Sequence, residues 1–156
     1  MPYGEDLLYQ IDLSRLPALR HLNILQCTIE HHPMGNPQFP LSLCQLLRLR
    51  GSTSDIQTIV VHLRYDDVEL GTEQGLFRPQ QGWADFDAVL ADENYRALEK
   101  ATLNLTIGFV WWDPVLRSTY TERIKLLMDT LFPAVKASGR VEMDIVIVVY
   151  GDSRCR

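Results

Sequence analysis

The sequence predicts an α/β fold built on a parallel four-stranded sheet of β-α units. Two observations carry that expectation. Apolar residues switch repeatedly along the chain between a period of two and a helical period, which gives the order β-α-β-α-β-α-β. Strands that alternate with helices need crossover connections, and crossovers favour parallel pairing. In addition, the strand segments repeat a common hydrophobic frame.

The elements follow in order along the chain. Ala18 to Cys27 reads as the first strand. Pro40 to Leu49 is a short helix, with proline in its first turn and Gly51 just beyond its end. Asp55 to Arg64, rich in β-branched residues, forms the second strand. Glu69 to Gly82 carries three glycines and a proline with no apolar period, so residues 69–82 are expected to be a loop within a single domain over 1–156. Trp83, Phe86, Val89 and Leu90 then fall at helical spacing, and Leu98 to Trp111 alternates Ala101, Leu103, Leu105 and Ile107 against Thr102, Asn104 and Thr106. Thr119-x-x-Glu122 has the pattern of a capping box. It opens a helix whose apolar stripe is Ile124, Leu127, Met128, Leu131, Phe132 and Val135, kinked or ended at Pro133 and closed by Gly139 in a left-handed cap. Val141 to Tyr150 is almost continuously apolar, the pattern of a strand covered on both faces.

Two architectures satisfy this order, a short leucine-rich-repeat-like solenoid and a doubly wound α/β sandwich. Internal repetition favours the solenoid. Leu19-Arg-His-Leu22-Asn-Ile24-Leu-Gln-Cys27-Thr-Ile29 fits an LxxLxLxxCxxL-like rule with its last apolar residue one place early. Ile56-Gln-Thr-Ile59-Val-Val61 and Leu98-Glu-Lys-Ala101-Thr-Leu103 repeat its first six positions. The steps from Leu22 to Ile59, Ala101 and Asp144 are 37, 42 and 43 residues, so the helical connections are stretched. Solenoid ends require caps, and Leu7, Leu8, Tyr9, Ile11 and Leu13 within Tyr3 to Leu16 are expected to supply one. The Val141 strand, at the other end, calls for a partner at its edge or a place inside the sheet.

These frames, together with LPALRHLNILQC, Trp83-Ala-Asp-Phe-Asp-Ala-Val-Leu90, Tyr95-Arg-Ala-Leu98-Glu-Lys-Ala101-Thr-Leu103 and Leu131-Phe-Pro-Ala-Val-Lys-Ala-Ser-Gly139, resemble the C-terminal leucine-rich-repeat-like region of the F-box-like proteins of mushroom-forming fungi. The resemblance covers most of the chain and rests on hydrophobic frames. It implies a repeat region that recognises a protein destined for ubiquitin ligation. Residues 1–17 carry no LPxE-type F-box, so docking on the ligase adaptor is not carried over.

Composition narrows the function classes. The 156 residues carry 15 Lys plus Arg against 20 Asp plus Glu, a net charge of −5, with 46% hydrophobic and 22% charged residues. That balance suits a globular domain and argues against a phosphate track for nucleic acid or a polybasic membrane surface. The longest apolar run, Ile145 to Tyr150, is far short of the ~20 residues of a membrane-spanning helix. Cys27, Cys44 and Cys155 form neither a complete disulfide framework nor a paired zinc knuckle, and no signal-peptide pattern opens the chain, so a reducing cytoplasm or nucleus is expected.

Strand alternation selects a working surface. With Leu22, Ile24, Ile59, Val61, Leu103, Leu105, Ile145 and Ile147 inward, the opposite face carries His21, Asn23, Leu25, Thr58, His62, Arg64, Thr102, Asn104, Thr106, Glu142 and Asp144. Trp112, at the end of the third strand, is a further candidate anchor. The expected function is therefore non-catalytic recognition of a protein partner, with no cofactor or metal. Two other readings stay open. Ile145-Val-Ile-Val-Val-Tyr-Gly151-Asp152-Ser153 is similar to the nucleophile block of GDS-type esterases, which would make Ser153 a nucleophile with His21 or His62 as base, although only three residues follow it. Self-assembly through an exposed sheet edge or solenoid end is the other. His31 and His32 beside Glu30, and the acidic run Asp66, Asp67, Glu69 and Glu73, lack metal-site spacing and read as loop charge.

Overall fold

The computed structural model describes residues 13–25, 41–48, 53–68, 82–110, 113, 115 and 117–151. The strands are β1 (His21–Leu25), β2 (Thr58–Val68), β3 (Lys100–Phe109) and β4 (Glu142–Gly151). The helices are α1 (Leu41–Leu47), α2 (Ala84–Ala91), α3 (Arg117–Met128) and α4 (Pro133–Ser138). All three strand pairings are parallel and the order is β1-β2-β3-β4. The sheet therefore grows in sequence without the reversal that marks a doubly wound fold.

Alternation explains the core. Ile59, Val61, Leu63 and Tyr65 of β2 and Ala101, Leu103, Leu105 and Ile107 of β3 point to the helix layer and are fully buried. The matching residues of the outer strands, Leu22, Ile24, Met143, Ile145 and Ile147, pack partly against the same core. Burying one such side chain contributes about 2 kcal/mol. Leu43 and Leu47 of α1, Phe86 and Leu90 of α2, Ile124 and Met128 of α3 and Val135 of α4 close the layer from one side. Phe132 is its hub, with its ring 6.1 Å from those of both Trp83 and Phe86 in edge-to-face geometry.

One buried carboxylate pins the layer. Asp87, in α2 and only 4% exposed, accepts hydrogen bonds from the backbone amides of Ala134 (2.8 Å) and Val135 (2.9 Å). It thereby satisfies amides at the start of α4 that no helical carbonyl can reach. Pro133 sits at the first turn of α4, and Gly139 ends the helix at φ 62°. Because Glu142 opens β4 just beyond, α4 also sets where β4 enters the sheet.

Several expectations are corrected. The long C-terminal helix is two helices, separated at residues 129–132. α3 begins at Arg117, so Thr119 lies inside it and caps nothing; Asp113 instead accepts from the Val115 amide at 3.0 Å just ahead of the helix. The fourth frame starts one residue earlier than aligned, since Ala101 pairs with Met143 and Asp144 stands beside Thr102. β2 continues past Arg64 to Val68, which places Asp66 in a strand rather than in a loop. Finally, β4 is not covered on both faces: among the described strands it is an outer one, and Val146 and Val148 are 44% and 46% exposed. Of the expected N-terminal cap, Leu13 is buried in the core, and residues 3–12 lie outside the described residues. The expected loop does too, apart from Gly82.

Candidate functional site

The face of the sheet turned away from the helices is the candidate site. Parallel register assembles its side chains into rows that run across the strands. His21, Thr58, Lys100 and Glu142 form the first row, and Asn23, Val60, Thr102 and Asp144 the second. Leu25, His62, Asn104 and Val146 form the third, and Arg64, Thr106 and Val148 the fourth. Each of these side chains is half-buried or exposed, and Leu25 reaches 75% exposure. All eleven strand residues expected on this face are on it.

The two ends of the face differ in chemistry. At the start of the strands, His21 Nδ1 lies 2.7 Å from the Thr58 hydroxyl oxygen. Lys100 Nζ stands 3.7 Å from both Glu142 and Asp144, and the exposure of all three keeps these ion pairs weak. At the other end the groups are locked together. Arg64 donates through Nε to Asp66 at 2.9 Å and through Nη2 to the Tyr150 hydroxyl at 2.8 Å. The Tyr150 hydroxyl in turn donates to Asp66. The arginine also sits 5.4 Å from the centre of the Tyr150 ring.

Gly108 makes this closure feasible. The Tyr150 side chain lies over it, and a Cβ at position 108 would fall 2.6 Å from both Cζ and Oη of Tyr150. The hydrogen bonds to Asp66, then to Tyr150, hold the Arg64 guanidinium above its ordinary pKa. Partial burial and the Asp66 carboxylate raise the Tyr150 hydroxyl above its ordinary 10.0. The result is a fixed pad with donors, an acceptor and an aromatic ring, and its arginine and tyrosine are residue types enriched at binding hot spots.

Sequence reasoning named Arg64 and missed Asp66, Tyr150, Lys100, Val60, Val146 and Val148. The signal was the period of two, which carries β2 from Arg64 to Asp66, where the register with β3 shifts, and β4 from Asp144 to Tyr150. The serine-hydrolase reading gains no assembled base from these strands: His21 shares its row with Glu142, at the opposite end of β4 from Gly151, and meets a hydroxyl, while His62 shares its row with Val146. Trp111, Trp112, Ser153, Cys27, Cys155, His31 and His32 lie outside the described residues.

The helix layer offers a cleft of about 300 Å³ lined by Leu47, Arg48, Val89, Asp92, Asn94 and Tyr95. The Tyr95 hydroxyl there is already spent on the Leu47 carbonyl. Among the described residues no group of three or more His, Cys, Asp or Glu side chains is placed to hold a metal ion, and no helix is long and apolar enough to cross a membrane. Comparisons with protein-family models, with curated proteins and with solved structures gave no match.

Proposed function

We propose that this chain is a non-catalytic recognition module that binds a protein partner on the open face of its sheet. The observation that supports this reading most is the one-sided burial of the sheet, with helices packed on one face and a mixed polar and apolar face left accessible. A pleated surface braced from behind loses little entropy when a partner docks, and the Arg64–Asp66–Tyr150 pad is ordered before binding. We read the architecture as a short leucine-rich-repeat-like solenoid, because the repeated frames Leu22, Ile59 and Ala101 fall side by side in the sheet. In the setting that the family resemblance implies, the partner is a protein to be tagged with ubiquitin, and the place of action is the cytoplasm or nucleus.

The test is a triple substitution, His62→Ala, Arg64→Ala and Asn104→Ala, in an affinity capture from a fungal lysate. Loss of specific partners at unchanged thermal stability is expected. The same partners captured by the triple variant would refute the proposed face.

A further inference from the structure

The outer strand β4 carries a second surface, its edge. The amide of Glu142 donates to the carbonyl of Glu99, which fixes the sense of the parallel ladder. Glu142, Asp144, Val146, Val148 and Tyr150 therefore spend their backbone groups on β3, while Met143, Ile145, Ile147 and Val149 direct theirs away from the sheet. No described strand lies beyond β4. Long outer strands are usually blunted by charged side chains, proline, a bulge, shortness or a covering helix or loop. β4 runs for ten residues with no proline, no lysine and no break in register, and its only charges, Glu142 and Asp144, stand at its start.

We infer that a second copy of this chain pairs with β4 in antiparallel fashion, about a two-fold axis at Ile147, and joins two sheets into one. The strand is self-complementary in that register. Ile147 faces its own copy, Ile145 faces Val149, Val146 faces Val148 and Asp144 faces Tyr150. An axis at Ile145 or Val146 would instead set Asp144 against a valine. Pairing at Ile147 buries the two exposed valines of each copy in one cluster. It also brings the acidic start of β4, Glu142 and Asp144, towards the end of the other copy where Arg64 holds Tyr150. The two open faces become continuous, which doubles the platform available to a partner. This inference does not depend on what binds that platform.

Light scattering on the purified chain tests it. The expected mass is twice 17.9 kDa, falling to 17.9 kDa on dilution. Val146→Lys with Val148→Lys puts four lysines together at the junction. The variant is expected to stay at 17.9 kDa at every concentration with an unchanged circular dichroism spectrum, because both positions are exposed in the single chain. As an independent measurement, Val146→Cys with Val148→Cys, in a chain with Cys27→Ser and Cys155→Ser, is expected to give a covalent dimer on mild oxidation. Directly opposed residues of this kind bring Cα atoms to about 4.5 Å, within disulfide reach. A monomer at all concentrations overturns the inference and leaves the edge to a strand of another protein. So does a dimer that the lysines leave intact, or the absence of the covalent dimer.

Discussion

Replacing Asp87 with alanine is expected to destabilise the fold more than any surface change of similar size. The carboxylate is buried and accepts from the amides of Ala134 and Val135 at 2.8 and 2.9 Å. A hydrogen bond to a charged group contributes about 1.5–3 kcal/mol, and a buried donor left without an acceptor costs a comparable amount. Ala134 is half-buried, so water can replace one of the two bonds, and the expected loss is about 3 kcal/mol. For a chain of this length each kcal/mol moves the midpoint by about 2–4 °C, which gives a fall of about 6–12 °C in Tm. Urea unfolding followed by far-ultraviolet circular dichroism measures the free energy, and a thermal scan measures Tm. Asp87→Asn keeps the volume and one acceptor, so it separates hydrogen bonding from packing. It should retain at least half of the loss. An Asp87→Ala variant within about 0.5 kcal/mol of the parent would refute the reasoning, since that is the range of an ordinary surface substitution.

Three further outcomes follow from the same geometry. Gly108→Ala should swing the Tyr150 ring off the sheet and cost about 1–2 kcal/mol by overpacking, seen as a shifted Tyr150 ring signal by nuclear magnetic resonance; an unmoved signal counts against the closure over Gly108. Gly139→Ala places a Cβ at φ 62° with open space around it, so strain alone should lower stability by about 1 kcal/mol in urea unfolding. Burial pushes the Cys44 thiol from 9.0 up to about 12 and raises the Tyr65 and Tyr95 hydroxyls above 10.0, so the folded state holds these protons longer than the unfolded chain does. Stability from these groups is complete below pH 9 and declines as pH rises from there through the raised values; a urea midpoint that stays level to about pH 11 would contradict this.

Much of the fold was legible because one period of two runs through β2 as far as Tyr65 and through the whole of β3. Thr102, Asn104 and Thr106 against Leu103, Leu105 and Ile107 specify both the strand and its open face. β4 was misread for a physical reason: Val146 and Val148 are as apolar as core residues, and hydropathy does not say whether a valine meets a helix or solvent. The strand order and the exposure of Val146 and Val148 correct it, and only Glu142 and Asp144 at its start hint at an open face in the sequence. Thr119 and Glu122 matched a local capping rule, yet the helix starts earlier, where the Asp113 turn and the contact of Tyr120 with Phe109 fix the chain. Asp66 and Asp87 were opaque for another reason. Their partners Tyr150 and Ala134 lie 84 and 47 residues away, and no local pattern encodes a contact at that separation.

The central claim is that the open sheet face, and not the helix layer, receives a protein partner. A photoreactive phenylalanine analogue placed at Asn104, in the middle of the face, tests it against the same analogue at Glu122 on the exposed side of α3. Irradiation in lysate, followed by mass spectrometry of the adducts, should give a discrete protein cross-link from position 104 and none from position 122. A specific adduct from position 122 with none from position 104 would contradict it.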